Sequence, residues 1–214
     1  NRCGKGIGPR KIKQITANEY RDAGIRLTDF IDGNAISHGD PFTLLTCELA
    51  KDNVVVFDVE ATGVDTTSDE IIQIAGVRLN KDGQVKAEFN RLLKPTKSVG
   101  DSEAVHGFSD EYLQENGEDP AKVLSDFCAF AKGAVIVGHN VSYDLSILAS
   151  QLGRLKLPEL FYLEYYDTLD IFRRFYPNLP NHKLEYLGKF CQVKHESSHD
   201  AFDDILATAE ILLY

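Results

Sequence analysis

Asp58 and Glu60 stand two residues apart in Val54-Val55-Val56-Phe57-Asp58-Val59-Glu60, an apolar run with strand character. Side chains alternate faces along a strand, so the two carboxylates point the same way and Val59 points opposite. Two carboxylates side by side in an apolar setting repel, which is costly unless cations relieve it. A hard divalent metal ion with oxygen ligands suits such a pair. Two further segments could complete a site. Asp144 closes His139-Asn140-Val141-Ser142-Tyr143-Asp144, just past a strand-like run ending near Gly138. Asp there is equally suited to capping the following helix or to ligating metal. His199 and Asp204 belong to His199-Asp200-Ala201-Phe202-Asp203-Asp204. On one continuous helix they would diverge by roughly 140°. They converge only if His199 precedes the helix and Asp204 lies on its first turns, which Ser197-Ser198 permits. Read alone, His199 is a surface or capping residue.

The elements that must position these groups follow from the apolar pattern. Strand signals run over 54–60, 70–79 and 84–93, the last two joined at Lys81-Asp82-Gly83, a hairpin turn. Residues 120–132 carry the helical spacing Val123, Leu124, Phe127, Phe130. Ala134–Val137 is a buried strand, 145–152 a helix, and Tyr165–Thr168 a last short strand. Helical segments follow at about 169–176, 182–191 and 200–213. Strands first, then alternation, then helices, argue for an α/β fold with a mixed sheet and helices packed against it.

The 214 residues, 43% of them apolar, suffice for one good core and a small appendage. A net charge of −10 does not advertise nucleic-acid binding, but it does not exclude a nuclease that neutralises phosphate locally through metal. Cys3, Cys47, Cys128 and Cys191 lack metal-ligand spacing and read as reduced thiols of a cytoplasmic protein. No signal peptide and no apolar run of membrane length occurs, so no membrane partner is expected. The chain begins without Met and stops at Tyr214 inside a helical pattern, so it reads as a piece of a longer polypeptide.

Residues 1–50 differ from the rest, and the division expected is a basic segment with linker over 1–50 and a main domain over 51–214. Arg2, Lys5, Arg10, Lys11 and Lys13 surround Gly6-Ile7-Gly8-Pro9, with a helical pattern beyond. Glycines before a helix start, with Pro near its first turn, present backbone N–H groups suited to a phosphate. The alternative is an ordinary turn with a solvated basic flank. Residues 27–50 carry breakers such as Asp32-Gly33-Asn34 and read as linker with one short helix.

Taken together, the segments resemble the DnaQ-like 3′–5′ exonucleases of the DEDDh type, in the ribonuclease-H-like superfamily. Asp58-Val59-Glu60-Ala61-Thr62-Gly63 resembles the first motif, with Ala61 where Thr is usual. His139-Asn140 to Asp144 resembles the second, and His199 to Asp204 the third. The tyrosine subtype would place Tyr at position 200, which is Asp200 here. Val105-His106-Gly107-Phe108 and Tyr166-Asp167-Thr168-Leu169-Asp170 match connecting segments of the family. The likeness covers about residues 53–214 and is nearest in flavour to the proofreading exonuclease domain of the Gram-positive replicative polymerase, which Pro180-Asn181-His182-Lys183-Leu184 supports. The segment around Gly6-Ile7-Gly8 weakly resembles UvrD/Rep-type helicases, without their ATP-binding loop.

The resemblance implies a ribonuclease-H-like mixed five-stranded sheet flanked by helices, and two divalent ions, Mg²⁺ or Mn²⁺. Asp58 would bridge both, Glu60 and Asp204 would hold the first, and Asp144 would support the second, partly through water. His199 would be the general base. Thr62 and Gly63 would touch the terminal nucleotide through the backbone, His106 or Phe108 would pack on a base, and Asn140 joins the substrate-binding set. For His106, packing at a helix terminus is an equal reading. With Gly6 and Gly8 tilting the substrate toward DNA, the expectation is hydrolysis of single-stranded DNA or 3′ ends of duplex DNA to 5′-mononucleotides, in repair or replication proofreading. The chain would be fused to or associated with a helicase or polymerase. A 3′–5′ exoribonuclease acting on RNA is the main alternative, and a noncatalytic nucleic-acid-binding module a lesser one.

Overall fold

The computed structural model describes residues 42–193 and 200–214, so Gly6, Gly8, the basic segment around them and His199 lie outside the described residues. The described chain runs α1 (Thr43–Leu49), β1 (Val54–Ala61), β2 (Ile71–Leu79), β3 (Val85–Leu92), a 3₁₀ turn (Gly100–Ser102), α2 (Glu103–His106) and α3 (Asp110–Asn116). It continues through α4 (Pro120–Ala131), β4 (Val135–Gly138), α5 (Val141–Arg154), β5 (Glu164–Asp167), α6 (Thr168–Phe175), α7 (Leu184–Cys191) and α8 (Ala201–Leu213).

One five-stranded sheet, ordered β3-β2-β1-β4-β5, forms the middle layer. The β1–β2 and β2–β3 pairs are antiparallel and the β1–β4 and β4–β5 pairs parallel, the mixed α/β sheet that the sequence pattern implies. The β2–β3 hairpin closes where expected. The Asn80 side chain accepts from the N–H of Asp82 at 2.9 Å and of Gln84 at 2.8 Å, while Gly83 takes the positive φ of 76° that a side chain would resist. The parallel connections need crossovers, which α4 and α5 supply. Helix α4 starts on a capping Asp119 with Pro120 at its first position.

Alternation along β1 sorts its side chains between two layers. Val55, Phe57, Val59 and Ala61 face a core built with Leu124 and Phe127 of α4 and Ile147, Leu148 and Leu152 of α5. Val54 and Val56 face the opposite core, formed with Leu45 and Leu49 of α1 and Ala201, Ile205 and Ala209 of α8. Asp58 and Glu60 continue this second row by the strand period. The pairing register slips between Glu60 and Ala61, with Glu60 opposite Gln73 and Ala61 opposite Ile71. The extra residue, Ile72, falls on β2, so the pairing is interrupted beside the carboxylates.

Helix α1 is the one short helix expected in the linker stretch, and its Leu45 and Leu49 are fully buried against β1. The sequence pattern passed over α3, whose Ser109 Oγ accepts from the Tyr112 N–H at 3.2 Å as an N-cap. Among the described residues no helix is long and apolar enough to cross a membrane.

If α1 belongs to the cooperative unit, Leu49→Ala should destabilise it by about 2–5 kcal/mol through the cavity it leaves. Urea denaturation would measure this, and a cost below about 0.5 kcal/mol, the range of surface substitutions, would detach α1 from the core.

Candidate active site

The end of β1 presents Asp58 and Glu60 on the face that α8 covers, and α8 brings Asp204 to them. One carboxylate oxygen from each of Asp58, Glu60 and Asp204 lies within 4.8 Å of the others. Asp204 sits on the first turn of α8, its N–H bonded to the Asp200 carbonyl at 3.0 Å. Asp200 caps that helix, its side chain accepting from Phe202 N–H at 2.9 Å and Asp203 N–H at 3.3 Å.

Gln73 of β2 ties the same helix start to the sheet. Its side-chain carbonyl accepts the Ala201 N–H at 3.1 Å, and its amide donates to Asn90 at 3.1 Å and to Asp200 at 3.5 Å. Gln73 is buried, and a lone amide in a strand pattern gave no sequence signal of this role.

Asp144 arrives from the other layer. Near the start of α5 it is only 3% exposed and accepts the Val59 N–H at 3.1 Å. Its carboxyl group also lies against that of Asp58, and its charge raises the Asp58 pKa. Of the two roles open to it in the sequence, the structure places it against Asp58 and the β1 backbone, and no side-chain capping bond is made at Asn140, the residue before α5.

The electrostatics follow from this crowding. Burial is the largest cause raising Asp58 well above the ordinary carboxylate range, with the charges of Asp144, Glu60 and Asp204 adding to it. Burial, then Asp204 and Asp144, push Glu60 up to about 8. Burial also raises Asp144, opposed by the hydrogen bond from Val59 N–H. Without cations, therefore, this cluster holds protons at neutral pH. Among the described residues its donors are all carboxylate oxygens, a set that fits a hard divalent ion.

Around the cluster, the other sequence candidates take varied places. Thr62 is buried; its hydroxyl donates to Asp69 at 3.2 Å and accepts the Glu70 N–H at 3.0 Å, while its own N–H bonds the Glu70 carbonyl at 2.9 Å. Thr62 thus braces the loop after β1. A Cβ on Gly63 would come 2.4 Å from Asp69 Oδ2, so glycine is required by close approach, and Tyr143 of α5 donates to the Gly63 carbonyl at 2.7 Å.

His106 is buried with both ring nitrogens engaged. Nδ1 accepts the Phe108 N–H at 3.1 Å, and Nε2 lies 2.9 Å from Ser102 Oγ. The Ser102 hydroxyl itself donates to the Val99 carbonyl at 2.7 Å, which leaves His106 Nε2 as the donor to Ser102. Burial lowers the His106 pKa, so the ring stays neutral. Phe108 stacks on His106 at 5.6 Å and on Tyr112 at 5.8 Å, a half-buried aromatic row. Asn140 is exposed at the start of α5 in a left-handed conformation (φ 65°), and its N–H is held by Asp167 at 2.9 Å. The same Asp167 oxygen caps α6 through Leu169 N–H at 2.9 Å.

A family model described as an exonuclease, RNase_T, matches residues 55–212. The chain belongs to this exonuclease family. Its motif order places the exonuclease domain in the DnaQ-like DEDDh branch, related to the exonuclease domain of PolC-type polymerases. It is 33% identical over 195 residues to the PolC-type DNA polymerase III of Caldanaerobacter subterraneus subsp. tengcongensis, covering 90% of this chain and 14% of that protein. With the PolC-type polymerase of Latilactobacillus sakei it shares 31% identity over 200 residues, 88% of this chain and 13% of the relative. The chain thus spans about one seventh of the length of the curated relatives it matches. In fold it is similar to E. coli Exonuclease I in complex with an oligonucleotide (TM-score 0.66, 21% identity, 73% of this chain and 39% of that one). The zinc-bound form of an E. coli ExoI–ssDNA complex matches likewise (TM-score 0.68, 22% identity, 75% and 40%).

The raised carboxylates set a pH dependence. A carboxyl group whose folded pKa lies above its unfolded value binds more protons when folded. Between the ordinary value of 4.5 and about 8 for Glu60, metal-free stability therefore falls as pH rises. The melting temperature of the EDTA-treated domain should drop from pH 5 to pH 8. Added Mn²⁺ should raise it more at pH 8, releasing protons as it binds. Asp58→Asn should raise the metal-free melting temperature at pH 8 and remove the Mn²⁺ effect. A flat metal-free profile would contradict the assigned burial of these charges.

Proposed function

We propose that this chain is a metal-dependent 3′–5′ exonuclease domain that hydrolyses DNA from its 3′ end to 5′-mononucleotides. The observation that carries this reading is the convergence of Asp58, Glu60 and Asp204 within 4.8 Å, with Asp144 held beside them by the Val59 N–H. Their family membership supplies the reaction class.

Asp58, Glu60 and Asp204 would hold one divalent ion, and Asp144 with Asp58 a second. When bound, such ions lower the pKa of an attacking water and stabilise a departing 3′ oxygen. The protein's own part is to bring the four carboxylates together, to hold Asp144 by the Val59 N–H, and to brace the Thr62-Gly63 loop where a terminal nucleotide would sit. His199, next to the cap of α8, is proposed as the base that removes the water's proton, on the strength of its five-residue lead over Asp204. The Phe108 and Tyr112 rings offer a stacking surface for a base, an interaction worth roughly 1–3 kcal/mol and tolerant of sequence.

Mg²⁺ or Mn²⁺ is the proposed metal, single-stranded DNA or a frayed duplex 3′ end the proposed substrate, and the cytoplasm the proposed location. The PolC-type relatives support a proofreading or repair role in association with a replicative polymerase. Residues 51–214, with α1 packed against them, are proposed as the catalytic domain, and the run before α1 as a distinct basic segment, helicase-like at Gly6-Ile7-Gly8.

The test is digestion of 5′-labelled single-stranded DNA, mismatched duplex and RNA with Mg²⁺ or Mn²⁺. A ladder shortening from the 3′ end is expected, fastest on DNA; internal cuts would refute the class, and faster RNA digestion would replace the substrate. Asp58→Ala should abolish hydrolysis. His199→Ala should slow the chemical step by about 10²–10⁴-fold while Mn²⁺ still binds. Near-normal turnover in that variant would remove His199 from its role.

A further inference from the structure

A cleft of about 760 Å³ opens beside the metal carboxylates and includes Asp204 in its wall. Its size falls within the range of about 300–1,000 Å³ typical of ligand sites. Asn140, at the start of α5, lines it together with Arg173 of α6 and with His182 and Lys183, just before α7. The aromatic row of Phe108 and the Gly63 loop belong to different elements and are not part of this lining.

The charge balance of the lining is unusual for a chain of net charge −10. Two full cations, Arg173 and Lys183, meet two carboxylates, Asp204 and Glu185. Asp204 belongs to the metal cluster, and Glu185 pairs with Lys189 one turn along α7 at 2.6 Å. Lys183 has no ion pair among the described residues. Arg173 reaches Asp170 only at 3.8 Å, with the two side chains 60% and 75% exposed, a water-screened pair that leaves its charge available. His182 is anchored, its Nε2 donating to the Tyr176 carbonyl at 2.9 Å, which fixes the loop that carries Lys183.

We infer that Arg173 and Lys183 form an anion subsite for a backbone phosphate of the substrate strand other than the one cleaved. This rests on the nuclease reading above and adds to it where the strand runs. Asp204 lines the same cleft as Arg173 and Lys183, so a strand whose scissile phosphate lies at the carboxylates would carry a neighbouring phosphate past these cations. Each contact would work as a charge that displaces counterions, adding affinity without reading sequence.

The experiment compares two substrates across salt concentrations, in the wild type and in Arg173→Gln/Lys183→Gln. One is a single-stranded oligonucleotide. The other is the p-nitrophenyl ester of thymidine 5′-phosphate, whose single phosphodiester can occupy only the metal site. Both side chains are exposed, and Arg173→Lys/Lys183→Arg keeps the charges as a control. Expected in the Gln variant is an oligonucleotide KM raised about tenfold with kcat retained. Its log–log salt dependence should be shallower by about 1.4, or about 0.7 for each lost contact to a single strand. Ester hydrolysis should be unchanged, and the charge-keeping variant should restore the oligonucleotide KM. An unaltered oligonucleotide KM and salt slope would overturn the subsite, as would an equal loss on both substrates. A wild type inert toward both would overturn the nuclease reading and the subsite with it.

Discussion

The arrangement of this domain turns on the mutual repulsion of carboxylates at the end of β1. Asp58, Glu60 and Asp204 crowd within 4.8 Å, and Asp144 presses on Asp58 from behind. Among the described residues, burial and the neighbouring carboxylates all push Asp58 and Glu60 the same way, toward holding their protons. A fold that only needed stability would place Val here, in continuation of Val54 and Val56. The energy withheld from the fold at this spot is available to any cation that enters, which is how a binding site is made from an unfavourable cluster.

The surrounding structure exists to hold that crowding still. The β1 row faces α8 because side chains alternate, and α8 is seated by Ala201, Ile205 and Ala209 in the same core as Val54 and Val56. Helix α5 reaches the site from the opposite layer, its Ile147 and Leu148 packed beneath β1, so the four carboxylates come from both sides of one sheet. The pairing slips after Glu60, and the chain then forms the Thr62-Gly63 loop, which Asp69 and Tyr143 secure.

Much of this was legible in the sequence because it is carried by periodicity. The five strands, the hairpin at Gly83 and the placing of Asp58 and Glu60 on one face follow from alternation. Asp204 on the first turn of α8 follows from the breaker-rich stretch before it. What was not legible depends on partners far apart in the chain. Thr62 reads like a residue that meets a ligand, but its hydroxyl and N–H are taken by Asp69 and Glu70. For His106 the sequence left base stacking and packing at a helix terminus equally open, and the contacts that engage its nitrogens, to Phe108 and Ser102, come only with the fold. Helix α1 was legible as a short helix, but its place in the core was not, because Leu45 and Leu49 pack with residues as distant in the chain as Ile205 and Ala209. His199, outside the described residues, is known only by its interval from Asp204.

Gln73 gives the site a property that its charges could not. The helix that delivers Asp204 is fastened to the sheet by a neutral amide, through Ala201 N–H, Asn90 and Asp200. The amide's bonds to Ala201 N–H and Asn90 join neutral groups, which neither titrate nor weaken in salt as the ion pairs elsewhere on the surface do. The gap between Asp204 and the β1 carboxylates is therefore set by sheet register rather than by the ion that fills it. Loading and unloading metal is then a matter of charge and protons on a standing frame, and the frame does not have to be rebuilt with each catalytic cycle.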